Sequence, residues 1–197
     1  MRVTRNLSPA TSAATAVVVS LMLLTAARAA QQDELLSKIK IKNFGCINET
    51  FYRGAQPKED DYKDLAALGI KTVIDLQRVG ERDEQRLVEA AGMKFYRIGM
   101  SDRKRPSLEQ IELFLKIVND PANQPVFVHC RGGRHRTGVV TAAYRMTREG
   151  WRPEQAIAEM KKFDFDRGFG HGALKDFVFD FHSYLEQKGV AVSTDQK

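Results

Sequence analysis

The most constraining stretch of this chain runs from Pro125 to Gly138, Pro-Val-Phe-Val-His-Cys-Arg-Gly-Gly-Arg-His-Arg-Thr-Gly. The apolar residues Val126 to Val128 read as a short buried strand. After Arg136-Thr137 a helical pattern begins, with Val139, Val140, Ala143 and Met146 on its apolar face. Between the two, a glycine-bearing loop must turn the chain within a few residues. A strand feeding a helix in this way points backbone N–H groups at one spot, and the helix N-terminus adds about half a positive charge there. The layout is an anion cup with Cys130 at its floor.

Each residue type in the loop has a chemical reason to be there. A free thiol is mostly protonated at neutral pH, but beside a helix N-terminus and cations it ionises and becomes a nucleophile. Cys130 is placed for that role. Gly132 and Gly133 are expected to take positive φ angles that turn their N–H groups inward. Arg136, six residues after the sulfur, can curl back and hold two phosphoryl oxygens with its planar fork. Thr137 brings a hydroxyl to the sulfur, and His129 is expected to orient the loop by hydrogen bonding. Arg131, Arg134 and His135 add positive charge on the substrate side. An acid is also needed, because expelling an oxygen leaving group requires a proton. Asp102, in the charged loop Ser101-Asp102-Arg103-Lys104-Arg105-Pro106, is the candidate, with Asp164, Asp166 and Asp176 as alternatives.

Strand and helix signals alternate along the rest of the chain. Phe51 to Pro57 reads as a short strand and a turn, and Thr72 to Leu76 as a buried parallel strand. Lys94 to Ile98 is a further strand. Helical spacing appears at Tyr62, Leu65, Ala66 and Leu68, with Pro57 near the first turn and Gly69 as a stop, and again from Glu81 to Ala91 with Leu87 and Val88 inward. Ser107 opens an amphipathic helix through a Ser-x-x-Gln box with Gln110, its buried stripe being Ile111, Phe114, Leu115 and Val118. Two more helices are expected over 153–163 and 173–187. The predicted fold is α/β, a central mostly parallel sheet flanked by helices on both faces, with ligands bound beyond the carboxyl ends of the strands.

At the N-terminus, Arg2 and Arg5 precede an uncharged apolar run, and Ala27-Arg28-Ala29 offers small residues for cleavage. Residues 1–29 are therefore predicted to be a signal peptide, too short in its apolar core for a stable span, so the protein is expected in the periplasm or outside the cell. Residues 30–42 read as a polar lead-in, 43–190 as one catalytic domain and 191–197 as a loose tail. Losing Arg2, Arg5 and Arg28 brings the formal charge of +6 down to about +3, too mild to argue for nucleic acid. The only cysteines are Cys46 and Cys130. Since Cys130 must stay free for chemistry no structural bridge is expected, though a reversible one remains open. The four histidines, 129, 135, 171 and 182, show no ligand spacing, so neither metal nor other cofactor is expected.

His129 to Gly138 resembles the signature loop of the cysteine-dependent protein tyrosine and dual-specificity phosphatases. Asn43-Phe44, Phe51-Tyr52-Arg53-Gly54-Ala55-Gln56-Pro57, Thr72 to Leu76, Asn119 to Pro125 and His135-Arg136-Thr137-Gly138 resemble more closely the atypical dual-specificity phosphatases first described in plants and fungi. That resemblance spans nearly all of the chain after residue 42. It implies a phosphatase-type fold and phosphomonoester hydrolysis through a cysteinyl-phosphate intermediate, without cofactor, by an expected monomer. The implied substrates are a phosphorylated protein or, as in some members of that group, an inositol phosphate or pyrophosphate; a phosphoinositide head group is a further option. Members often lack an aspartate at the place of Asp102, so its acid role rests on its position in the chain alone. Two other readings use the same loop: a catalytically weak phosphate-binding module, and sulfur transfer of the rhodanese kind, which leaves Arg136-Thr137 unexplained.

Overall fold

A computed structural model of the chain describes residue 27 and residues 30–167 and 170–189. Except for Ala27, the predicted signal peptide lies outside the described residues, as does the predicted tail. The chain divides into two units, 1–38 and 39–197. Of the first, residues 30–38 are helical, with an exposed Lys38–Glu34 pair at 2.8 Å one turn apart. Among the described residues no helix is long and apolar enough to cross a membrane.

The second unit is built of β1 (Gly45–Asn48), β2 (Phe51–Ala55), α1 (Asp61–Ala67), β3 (Thr72–Gln77), α2 (Glu84–Ala90), β4 (Lys94–Met100), α3 (Leu108–Asn119), β5 (Val126–Cys130), α4 (His135–Glu149), α5 (Pro153–Lys162) and α6 (Gly172–Gln187). The sheet order is β1-β2-β5-β3-β4. β2, β5, β3 and β4 run parallel, and β1 is an antiparallel edge strand. All six residues of β3 and all five of β5 are buried, because helices cover both faces of a mostly parallel sheet and leave no solvent side to alternate with.

The α3 box forms as its residues dictate: the Gln110 N–H donates to Ser107 Oγ at 3.3 Å and the Ser107 N–H to Gln110 Oε1 at 2.9 Å. Its buried stripe is Ile111, Phe114, Ile117 and Val118, with Leu115 only half-buried. The edge strand β1, too short to show a period, was not expected. α2 starts three residues later than its pattern predicts and turns Glu84 and Val88 inward rather than Leu87 and Val88. α1 likewise starts beyond Pro57, at Asp61.

One consequence of the topology matters for chemistry. β5 lies between β2 and β3, so its last residue, Cys130, sits at the carboxyl edge in the middle of the sheet, paired with Ala55.

Candidate active site

At the end of β5 the chain makes a loop of four residues and enters α4 at His135, so that Arg136 and Thr137, expected to end the loop, already belong to the helix. Gly133 takes a φ of +64°, whereas Gly132 does not adopt a positive φ. The Gly133 position is also crowded, since a Cβ there would come within 2.5 Å of the Gly54 carbonyl carbon. The loop therefore lies against β2 with no room for a side chain. From the other flank, Asn43 Nδ2 donates to the Gly132 carbonyl at 2.8 Å.

Cys130 is only 3% exposed. Burial pushes its pKa up, but the Thr137 side chain, the Arg136 charge and the backbone N–H groups of Thr137 and Gly132 together outweigh that penalty, and the thiol ends below its ordinary value of 9.0. The physical cause is the expected one: hydrogen bonds and a cation favour the thiolate more than desolvation disfavours it.

Above the sulfur is a cavity of about 320 Å³ lined by Lys42, Asp102, Cys130, Arg131, Gly132, Arg134, His135 and Arg136. Four of these side chains are cations and one is a carboxylate. α4 has no acidic residue in its first turn, so a helix end that normally attracts carboxylates faces the cup with its positive end uncompensated. Lys42 belongs to this wall. It lies at the end of the stretch 30–42 expected as a polar lead-in, but the second unit already begins at Ile39, and the Lys42 carbonyl accepts the Ala55 N–H at 2.8 Å.

Among the candidate acids only Asp102 lines the cavity. Asp164 pairs with Arg167 at 3.5 Å and Asp166 with Lys161 at 3.7 Å, while Asp176 is exposed on α6. Arg105, a neighbour that could have neutralised Asp102, pairs instead with Asp180. The Asp102 loop is held through its backbone: His171 Nδ1 lies 2.9 Å from the Asp102 carbonyl, and the His171 ring stacks on His135 with centroids 3.4 Å apart. His135 in turn places Nε2 2.9 Å from the Phe165 carbonyl. Burial first, then His171 and Arg134, hold the His135 pKa below its ordinary value, so its ring is neutral at pH 7 and adds no charge to the wall.

His129 does not line the cup. It is fully buried and stacks on Phe127, with Nε2 2.8 Å from Glu84 Oε1. Glu84 also accepts from Tyr62 and from Gln56, each at 2.8 Å. Burial would raise the Glu84 pKa, but His129, Gln56 and Tyr62 outweigh it and the carboxyl is held below the usual range. Asp75, Glu84 and His129 bring their donor atoms within 4.8 Å of one another, a possible metal-ligand set where the sequence showed no ligand spacing. Arg97, however, already bridges the two carboxylates, with Nε 2.8 Å from Asp75 and Nη2 3.4 Å from Glu84. Arg97 therefore answers part of the negative charge of a cluster that ties α2 to β3, β4 and β5. Glu84 gave no signal in the sequence, where it reads as one more polar residue on a charged helix.

A family described as DSP-PTPase phosphatase fused to NAD+ kinase matches residues 38–173, which include the whole cup. The chain belongs to this phosphatase family. The inositol diphosphatase SIW14 of Saccharomyces cerevisiae is 28% identical over 132 residues, covering 64% of this chain and 47% of the yeast protein. The inositol diphosphatase DSP2 of Oryza sativa subsp. japonica is 32% identical over 108 residues, covering 52% and 53%. The chain thus spans about half the length of these relatives. The crystal structure of the core catalytic domain of the S. cerevisiae PP-IP phosphatase SIW14 with citrate superimposes with a TM-score of 0.62 at 25% identity, covering 76% of this chain and 94% of that one. The phosphatase-type α/β fold expected from the sequence is the fold observed.

Proposed function

We propose that the protein is a cysteine-dependent phosphatase that works through a Cys130 phosphoenzyme and favours densely anionic substrates. The Cys130 thiolate attacks phosphorus, forming the S–P bond as the P–O bond to the leaving group breaks, and Asp102 delivers its proton to the departing oxygen. Water then attacks the phosphocysteine, Asp102 takes the water's proton, and the sulfur leaves as thiolate. Arg136 and the loop N–H groups hold the phosphoryl oxygens throughout.

The substrate reading rests on one observation, the four cations against one carboxylate around the cavity. A single phosphate offsets only part of that charge, and neighbouring phosphates on one small molecule offset more of it. The names of the yeast and rice relatives, inositol diphosphatases, are consistent with a phosphorylated inositol. The deciding comparison is Arg131→Ala/Arg134→Ala against wild type, on an inositol polyphosphate and on a monophosphorylated peptide at several salt concentrations. A selective loss on the polyphosphate, with weaker salt dependence, is expected; equal change on both substrates would make the protein a general phosphoprotein phosphatase.

We further propose that the protein acts after export, on the strength of the charged start, apolar run and Ala27-Arg28-Ala29 of its N-terminus. N-terminal sequencing of the protein from a fractionated bacterial host should then begin at Ala30.

A further inference from the structure

Arg53 is 0% exposed, the largest fully buried side chain among the described residues. A buried charge is costly unless something compensates it, so its surroundings call for an account. Nη2 donates to the Gly133 carbonyl at 2.5 Å, and the guanidinium lies 3.9 Å over the Phe163 ring. Nε and Nη1 are buried without a hydrogen-bond partner. A cation–π contact and one carbonyl leave much of the charge unanswered.

The sheet register says where the answer lies. Arg53 pairs with Val128 and Ala55 with Cys130, and side chains alternate along a strand, so Arg53 and Cys130 stand on the same face of adjacent strands. Two anions are within electrostatic reach, Glu159 and the Cys130 thiolate. Glu159 is already engaged by Arg145 at 2.7 Å. The thiolate is met from the loop side by Thr137 and Arg136, and Arg53 stands beside it on the same face of the sheet.

We infer that Arg53 is the buried counter-ion of the Cys130 thiolate, a positioning residue that steadies the negative sulfur from beneath the loop while Arg136 serves the substrate side. Through Gly133 the same guanidinium holds the loop carbonyl outward and leaves the neighbouring N–H groups to the cup. Burial lowers the Arg53 pKa to about 10, with Glu159 and Cys130 holding it up, so the side chain keeps its charge at neutral pH. The inference rests on the phosphatase reading only in taking the thiolate as the working form of Cys130.

The test reads the thiol directly and needs no substrate. In a Cys46→Ser background Cys130 is the sole thiol, and the pH dependence of its alkylation by iodoacetamide gives its ionisation midpoint. Arg53→Met should raise that midpoint by about one unit, equivalent to tenfold less thiolate at any pH below it. In parallel, with Arg53 intact, its Nε–H resonance should shift with the same midpoint, and that titration should vanish in Cys130→Ser. An unmoved midpoint in folded Arg53→Met, or an Nε–H resonance indifferent to the thiol, would reduce Arg53 to a clamp on Gly133 and overturn the inference. Should Arg53→Met not fold, the resonance experiment decides alone. Failure of the phosphatase reading shows separately, as a low thiol midpoint without phosphate release from any substrate.

Discussion

A thiol buried as deeply as Cys130 is ordinarily neutral, and what ionises it is a small number of named contacts. Thr137 is the first of these, and its hydroxyl, fully buried, has no oxygen or nitrogen partner to compete with the sulfur. Thr137→Val keeps the shape and removes that donor, so the acidic limb of the pH–rate profile should move upward by about one unit, a tenfold loss at fixed pH on that limb. The same shift has a consequence for stability. A thiol whose folded pKa is lowered stabilises the fold fully above its unfolded value near 9.0 and loses that contribution as pH falls through the folded value. The gap in melting temperature between wild type and Cys130→Ser should therefore widen as pH rises and narrow in acid. Asp102→Asn belongs at this scale too. It should slow alkyl phosphates by about two orders of magnitude or more while sparing activated aryl phosphates, whose leaving groups need no proton; equal losses on both would remove Asp102 from the reaction.

Elements position these residues, and their tolerances differ. Gly133→Ala faces two penalties: a left-handed angle costing roughly 1–2 kcal/mol for a residue with a Cβ, and backbone of β2 at 2.5 Å that cannot move aside as a side chain could. It should lower the melting temperature and abolish the anion cup, whereas Gly132→Ala, meeting only the flexible Arg134 side chain, should be far milder. Thermal melts and phosphate binding separate the two. The His135–His171 stack joins α4 to the start of α6 and to the Asp102 loop. Because the folded His135 pKa is lowered from 6.5, the protonated form is favoured in the unfolded chain, so stability from this contact is full above pH 6.5 and falls as pH drops below it. Denaturation curves for wild type and His135→Phe should converge in acid. Legibility in the sequence follows the same division. The α3 cap and the cup residues could be read because local chemistry alone dictates them: Ser107 and Gln110 satisfy each other, and Cys130, Arg136 and Thr137 lie in one short loop. Arg53, Glu84 and Lys42 could not, because each acquires its role from a partner 45 to 88 residues away in the chain, and only the strand order β2-β5-β3 brings those partners together.

The sheet as a whole also settles the relation between the two cysteines, which the sequence left open. Both are free, Cys46 exposed and Cys130 buried. Cys46 on β1 pairs with Tyr52 of β2, whereas Cys130 on β5 pairs with Ala55 of β2. Three residues along a strand is about 10 Å, and three is an odd number, so the two side chains also leave opposite faces of the sheet. The strands themselves are two spacings apart, about 9–10 Å. A disulfide requires Cα atoms within about 7 Å and Cβ vectors that converge. The order β1-β2-β5 denies both. The Cys130 thiolate, low in pKa and open to small molecules through the cup it lines, is the first site that peroxide oxidises, and without a resolving thiol its sulfenic acid proceeds to the sulfinic form. Peroxide should therefore inactivate wild type and Cys46→Ser at the same rate, with the same recovery on adding thiol. Mass spectrometry of the oxidised wild type should show oxygen added at Cys130. A Cys46–Cys130 cross-link, seen as the loss of two hydrogens, would require β1 to leave the sheet and would contradict this register.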